Sequence, residues 1–214
     1  MLLLVGFTTE ELIPPTSSAV IEHIMVLQNA GRATLAYFYF DFNEDKKTNL
    51  DNALPSLLTQ LARSDSYCDI LSQVYDKNGG STPGTDEMIT CLEETLGLPD
   101  QPPVYIVLDA LDECSNADTI PSARSRVLDL LKRLVDPRLP NLHLCVTSRP
   151  EDDIPTALEA FRTISIQEEK GQKEDIDRHI KDMVYAKSDT LMGRWDNKTK
   201  NMVVDTLTEK ADGM

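Results

Alternating buried blocks and amphipathic helices

Apolar residues along this chain fall into two patterns: short unbroken blocks that stop at polar or charged residues, and longer stretches in which they return every three or four positions. The clearest block is Val104 to Leu108, which follows Pro102-Pro103 and runs into V-Y-I-V-L-D-A-L-D-E-C. An uninterrupted apolar run that ends on carboxylates has the composition of a strand buried on both faces, as in parallel sheets covered by helices. Leu142 to Ser148 reads as a second such strand, ending at Arg149-Pro150, and Leu35 to Phe42 as a third. Short strands are expected at Leu2 to Phe7 and Thr163 to Ile166.

Between the blocks the spacing is helical. Val20, Ile24 and Leu27, with Ile21 and Met25 also apolar, predict a mostly buried helix from Ser17 to Asn29, ended by Gly31. Leu50, Leu54, Leu57, Leu58 and Leu61 predict an amphipathic helix in which Pro55 fits only within the first turn. Further helices are expected over 65–76, over 86–97 and after Pro121, the last with Val127, Leu131 and Leu134 inward and Arg124, Arg126, Lys132 and Arg133 on a solvated face. Ile154, Leu158 and Phe161 mark another helix, and Ile176, Ile180, Met183 and Val184 one more. Trp195 is expected as a packing anchor before a final helix over 197–211. Asn78 to Gly84 is a loop; it is not a displaced phosphate loop, because no lysine follows and no buried strand precedes. Strands alternating with helices predict a three-layer α/β fold with a mainly parallel sheet, and the end of strand patterns near Gln172 predicts a partial helical C-terminal subdomain.

Length and charge narrow the function. A chain of 214 residues suits one ample domain with a small helical appendage. The formal net charge of -15, with no basic stripe, argues against nucleic acid as a partner. Cys68, Cys91, Cys114 and Cys145 are far apart, form no C-x-x-C pair and read as reduced intracellular thiols; the three histidines are equally scattered. The apolar run at the start has neither a basic leader nor a small-residue cleavage site, and no stretch approaches membrane-spanning length. There is no internal repeat.

The chemistry-bearing candidates gather at two strand ends. Ligands of open α/β sheets bind beyond the carboxyl ends of the strands. Asp109 there could face a magnesium ion, with Glu113 or Asp112 positioning a water, in a metal-and-phosphate site of the Walker B type. The plainer reading is an acidic strand exit that caps the next helix. Arg149 would share that edge and suit a terminal phosphate, or else pair with Glu151 or Asp152 on the surface.

L-D-A-L-D-E-C, followed by a strand ending T-S-R-P, resembles the NACHT branch of the signal-transduction P-loop ATPases, in the nephrocystin-like form abundant in fungal proteins. Ala33 to Asp41, with the core L-A-Y-F-Y-F-D-F, resembles the strand after that group's P-loop helix, and L-T-E-K-A-D-G-M resembles the run into its winged-helix extension. The resemblance covers residues 17–214 and implies a P-loop NTPase-type core over 17–171, preceded by a non-family leader or replacement strand over 1–16 and followed over 172–214 by the start of a helical accessory subdomain. It also implies magnesium held by Asp109, water oriented by Glu113 with Asp112, a terminal phosphate sensed by Arg149, and Mg-ATP or Mg-GTP as the family's cofactor.

One departure alters that expectation. Aligning Ser17 to Ile24 with the family's first helix puts Leu12 to Pro14 where the phosphate loop G-x-x-x-x-G-K-[ST] should end, and glycine, lysine and hydroxyl residue are all missing. Gly6 is the only glycine in the first thirty residues, and Pro14-Pro15 offers no N–H donors. The expectation is therefore a truncated, cytoplasmic NACHT-type signalling fragment without Walker A or bound cofactor, acting through protein partners or self-association, with repeat domains fused to it in longer relatives. Neither nucleic acid nor membrane is expected as a partner. The alternatives are an ATP- or GTP-dependent switch and a phosphohydrolase using Asp109 as nucleophile. Without the central P-loop strand the sheet would expose unpaired backbone groups unless Leu2 to Phe7 substitutes.

Overall fold

The computed structural model describes residues 3–7, 16–62, 65–116, 121–135, 138–159, 161–165, 178, 180–181, 184–185 and 195–211. The strands are β1 (Leu3–Phe7), β2 (Thr34–Tyr39), β3 (Val104–Asp109), β4 (Leu142–Ser148) and β5 (Thr163–Ser165). The helices are α1 (Thr16–Asn29), α2 (Leu50–Leu61), α3 (Asp65–Lys77), α4 (Thr85–Leu96), α5 (Ala123–Leu134), α6 (Asp153–Ala157) and α7 (Asn197–Ala211). Short 3-10 turns cover Asp45–Lys47 and Leu111–Glu113. The chain divides into two compact units, one of residues 1–8 and 14–164, the other of 9–13 and 165–214.

The five strands stand in the order β2-β3-β4-β1-β5, and β2–β3, β3–β4 and β4–β1 pair in parallel. The first strand of the chain thus lies between the fourth and the fifth, with Leu3 opposite Leu144 and Phe7 opposite Ser148. The β3–β4 register sets Val104 against Leu142 and Leu108 against Val146, so both strands run out at the same edge.

Alternation along the strands builds two apolar layers. Ala36, Phe38, Ile106, Leu108, Leu144 and Val146 face the larger core, where α2, α4 and α5 contribute Leu54, Leu57, Leu61, Leu92, Val127 and Leu131. Phe38 and Phe40 pack edge to face there at 5.1 Å. Leu35 and Val107 face the smaller core with Ile21 and Ile24 of α1, flanked by Tyr37, Tyr39 and Tyr105. α1 ends as the glycine implied: Arg32 N–H donates to Leu27 C=O and Gly31 N–H to Gln28 C=O, around a Gly31 φ of 67°.

Several expectations are corrected. Met25 is 44% and Val26 68% exposed, so α1 buries only one stripe, because no second element covers its outer face among the described residues. Pro55 sits in the second turn of α2, whose N-cap is Asn49, accepting from the Asn52 N–H. Losing one i to i−4 hydrogen bond there is offset by six buried apolar side chains on the helix. β2 ends at Tyr39, short of Phe42, because beyond Phe40 the chain turns so that Asp41 N–H meets Lys47 C=O. α6 is only five residues long and stops before Leu158. Trp195 is 37% exposed. Most of the helix expected around Ile176 to Val184 lies outside the described residues, as does Leu12 to Pro14.

Candidate functional site at the β3 and β4 exits

The carboxyl ends of β3 and β4 are joined side chain to side chain. The Thr147 hydroxyl donates to Asp109 Oδ1 at 2.6 Å and accepts from the Ala110 N–H at 3.0 Å. Ala110 has φ 54° and ψ 50°, the left-handed region that a Cβ disfavours. That twist starts the Leu111–Glu113 turn, which lays the next two carboxylates back over the sheet edge.

Asp112 folds toward β4. Its Oδ1 accepts from the Arg149 N–H at 2.8 Å and the Ser148 hydroxyl at 3.3 Å, while Oδ2 lies 3.6 Å from Arg149 Nε. The Asp112 side chain is almost wholly buried and that of Arg149 half exposed. Arg149 therefore turns to Asp112, and the surface pairing with Glu151 or Asp152 is not made. Glu113 points the other way, its Oε2 accepting from the Phe42 N–H at 3.3 Å. Burial pushes the Glu113 carboxyl above its ordinary value; the Phe42 amide opposes this, the nearby Asp112 and Asp41 charges add to it, and Arg149 opposes it. Asp109, Asp112, Glu113 and Arg149 thus all reach one sheet edge, with Phe42 beside them 68% exposed.

The residue that holds this edge together was placed on the solvated face by its charge. Arg124, in the first turn of α5, is 7% exposed. Its Nη2 donates to Asp112 C=O at 2.5 Å, its Nε to Cys114 C=O at 3.2 Å, and its Nη1 meets Asp153 Oδ1 at 3.0 Å. The signal was present in the spacing, since Arg124 lies three residues before Val127 on the inward stripe. The rest of the basic face is paired across helices: Arg126 with Asp51 of α2, and Arg133 with Glu93 of α4. Lys132 lies 3.7 Å from Asp129 on its own helix.

From the other side, Cys114 Sγ donates to Thr48 C=O at 3.2 Å, and the Ser115 N–H donates to the same oxygen at 2.9 Å. Burial raises the Cys114 thiol to about 12, and burial with the Asp109 charge raises Cys145 to about 11, so neither is a thiolate at neutral pH.

All three carboxylates of this edge accept hydrogen bonds within the protein. One Asp109 oxygen is taken by Thr147, and the Asp112 carboxylate is spent on Arg149 and Ser148. Among the described residues, no group of three or more His, Cys, Asp or Glu side chains is arranged to hold a metal ion. No helix among them is long and apolar enough to cross a membrane.

A sheet ordered β2-β3-β4-β1-β5, parallel from β2 through β1, flanked by helices and ending in this edge, defines an α/β domain. Residues 16–149 match the family described as nephrocystin 3, N-terminal, which is more than half of the chain, and the chain belongs to that family. No curated protein is significantly similar to it. Among solved structures it is similar to the ORC2 protein of Aeropyrum pernix in ADPNP–ADP complexes, at 11% identity and a TM-score of 0.48, over 86% of this chain and 44% of that one. It is also similar to Drosophila ORC bound to AT-rich DNA and Cdc6, at 17% identity and a TM-score of 0.41, over 77% and 47%. A third similarity is to Drosophila ORC bound to DNA, at 18% identity and a TM-score of 0.36, over 77% of each chain. The chain spans less than half the length of the first two.

Proposed function

We propose that this chain is the core of a cytoplasmic NACHT-type signalling protein of the fungal kind, and that it acts as a protein-interaction module without using nucleotide. The observation that carries this reading is the clasp between the strand exits, in which the side chains a Walker B site would turn toward a ligand are instead bound by Thr147, Ser148 and Arg149. The sequence between β1 and α1, T-T-E-E-L-I-P-P, adds to it, for it brings neither glycine nor lysine to a phosphate. Charged hydrogen bonds contribute roughly 1.5 to 3 kcal/mol each, so lacking three of them costs on the order of 4 to 9 kcal/mol of nucleotide affinity. At about 1.4 kcal/mol per tenfold, a micromolar site becomes millimolar or weaker.

The ATP- or GTP-dependent switch is the second reading. It is favoured by one specific feature, the place of β1 beside β4 with Asp109 and Arg149 at the adjoining edge. Titration of the purified chain with a fluorescent ATP analogue and magnesium separates the two. The interaction-module reading expects no saturation below millimolar concentration; saturable low-micromolar binding that Asp109→Ala abolishes establishes the switch.

A further inference from the structure

β2 is an edge strand, and three of its outward backbone groups are met by side chains. Thr34 and Phe40 donate their N–H groups toward β3, to Pro103 C=O at 2.9 Å and Asp109 C=O at 3.0 Å. Alternation therefore turns the backbone groups of Leu35 and Tyr37 to the open side. The Leu35 N–H donates to Gln28 Oε1 at 2.9 Å. At Tyr37 both groups are held by one amide: the N–H donates to Gln60 Oε1 at 3.0 Å, and Gln60 Nε2 donates to Tyr37 C=O at 2.8 Å. Gln60 thus presents to Tyr37 the donor and acceptor that a neighbouring strand would present. Its amide is fixed by the Ser56 carbonyl at 3.2 Å and the Ser56 hydroxyl at 3.1 Å, one turn back on α2. Further along, Lys47 C=O takes the Asp41 N–H.

We propose that Gln28 and Gln60 guard the edge of β2, occupying the Leu35 N–H and both backbone groups of Tyr37 so that an extended segment of a second copy of this chain cannot add there as a sixth strand. The need for a guard follows from sequence. Leu35 to Phe40 is aromatic, β-prone and uncharged, the composition of a segment that pairs with copies of itself when its edge is open. Natural edges are usually protected by lysine, proline or a bulge, and β2 carries none of these between Thr34 and Tyr39. Two glutamines, one from each flanking helix, serve instead. Association of this protein with itself or with partners is thereby directed away from β2.

The test compares wild type, Gln60→Ala and Gln28→Ala/Gln60→Ala by sedimentation over a concentration series, with hydrogen exchange read at Tyr37. Wild type is expected to show a slowly exchanging Tyr37 amide. Gln60→Ala is expected to exchange faster there when dilute, and on concentration to gain mass over wild type toward roughly twofold, as strand addition forms pairs. A peptide copying residues 34–41 is expected to bind the folded variant and not wild type. A folded variant that matches wild type in mass at every concentration and ignores the peptide overturns the proposal. If the variant does not fold, the wild-type measurement still decides, because a freely exchanging Tyr37 amide shows that no guard is in place.

Discussion

Replacing Arg124 by methionine removes the cation on which the acidic edge is built. Arg124 donates to two backbone carbonyls of the exit turn, Asp112 and Cys114, and pairs with Asp153 on α6. Each carbonyl bond carries a charged donor, and such bonds contribute roughly 1.5 to 3 kcal/mol. Asp153 is 38% exposed, so its ion pair contributes about 1 kcal/mol or less. The methionine recovers part of the apolar packing of the arginine stem. The expected net loss is about 3 to 5 kcal/mol, comparable to breaking other buried ion pairs from one side. For a chain of this size that lowers the melting temperature by roughly 6 to 20 °C. Urea unfolding at neutral pH, followed by circular dichroism, reads the loss directly, and hydrogen exchange should show the 111–116 segment opening first. Asp153→Asn is the control and should cost under about 1 kcal/mol. An Arg124→Met variant within about 1 kcal/mol of wild type would refute the reasoning, since such a result means that solvent already serves those carbonyls.

Two further outcomes follow from the same turn. Ala110→Gly should raise the unfolding free energy measured in urea by about 0.5 to 1 kcal/mol, because relief of the left-handed φ outweighs the added freedom of the unfolded chain; a lower value counts against it. Glu113 has a folded-state pKa above its ordinary 4.5, chiefly from burial, so as pH rises the unfolded chain ionises first and stability falls from about 4.5 up through the folded value. Glu113→Gln should therefore be the more stable form at pH 7 and equal to wild type near pH 4, and a variant that is less stable at pH 7 contradicts the assigned burial.

The sheet was largely legible because its strands carry unbroken apolar blocks, and a block between breakers such as Pro102-Pro103 and Pro150 has few other ways to fold. The helices over 17–29, 50–61 and 86–97 were legible for the same kind of reason, from apolar residues returning at helical spacing and, for the first, from Gly31 at its end. What escaped depends on partners distant in sequence. Arg124 was assigned outward on charge, although its three acceptors lie 10, 12 and 29 residues away. The left-handed turn at Ala110 has no local signature, since the sequence offers alanine and the Thr147 hydroxyl that helps to hold the turn comes from another strand. Pro55 was confined to the first helical turn by local rule, and the buried leucines around it prevailed. That Asp109, Asp112, Glu113 and Arg149 meet at one edge could be inferred from two strands ending alike; that Asp112 is claimed by the β4 exit could not.

The central claim is that the carboxylates at this edge bind the protein itself. Asp112→Ala, melted without any nucleotide, tests it most directly. A carboxylate kept for a ligand sits among like charges and strains the free protein, so its removal stabilises; one that serves as a structural acceptor leaves the Arg149 N–H without its acceptor when it goes, while the Ser148 hydroxyl keeps the Arg149 C=O at 2.8 Å. The clasp predicts a loss of about 1.5 to 3 kcal/mol, or roughly 3 to 12 °C in melting temperature. An unchanged or higher melting temperature would contradict it.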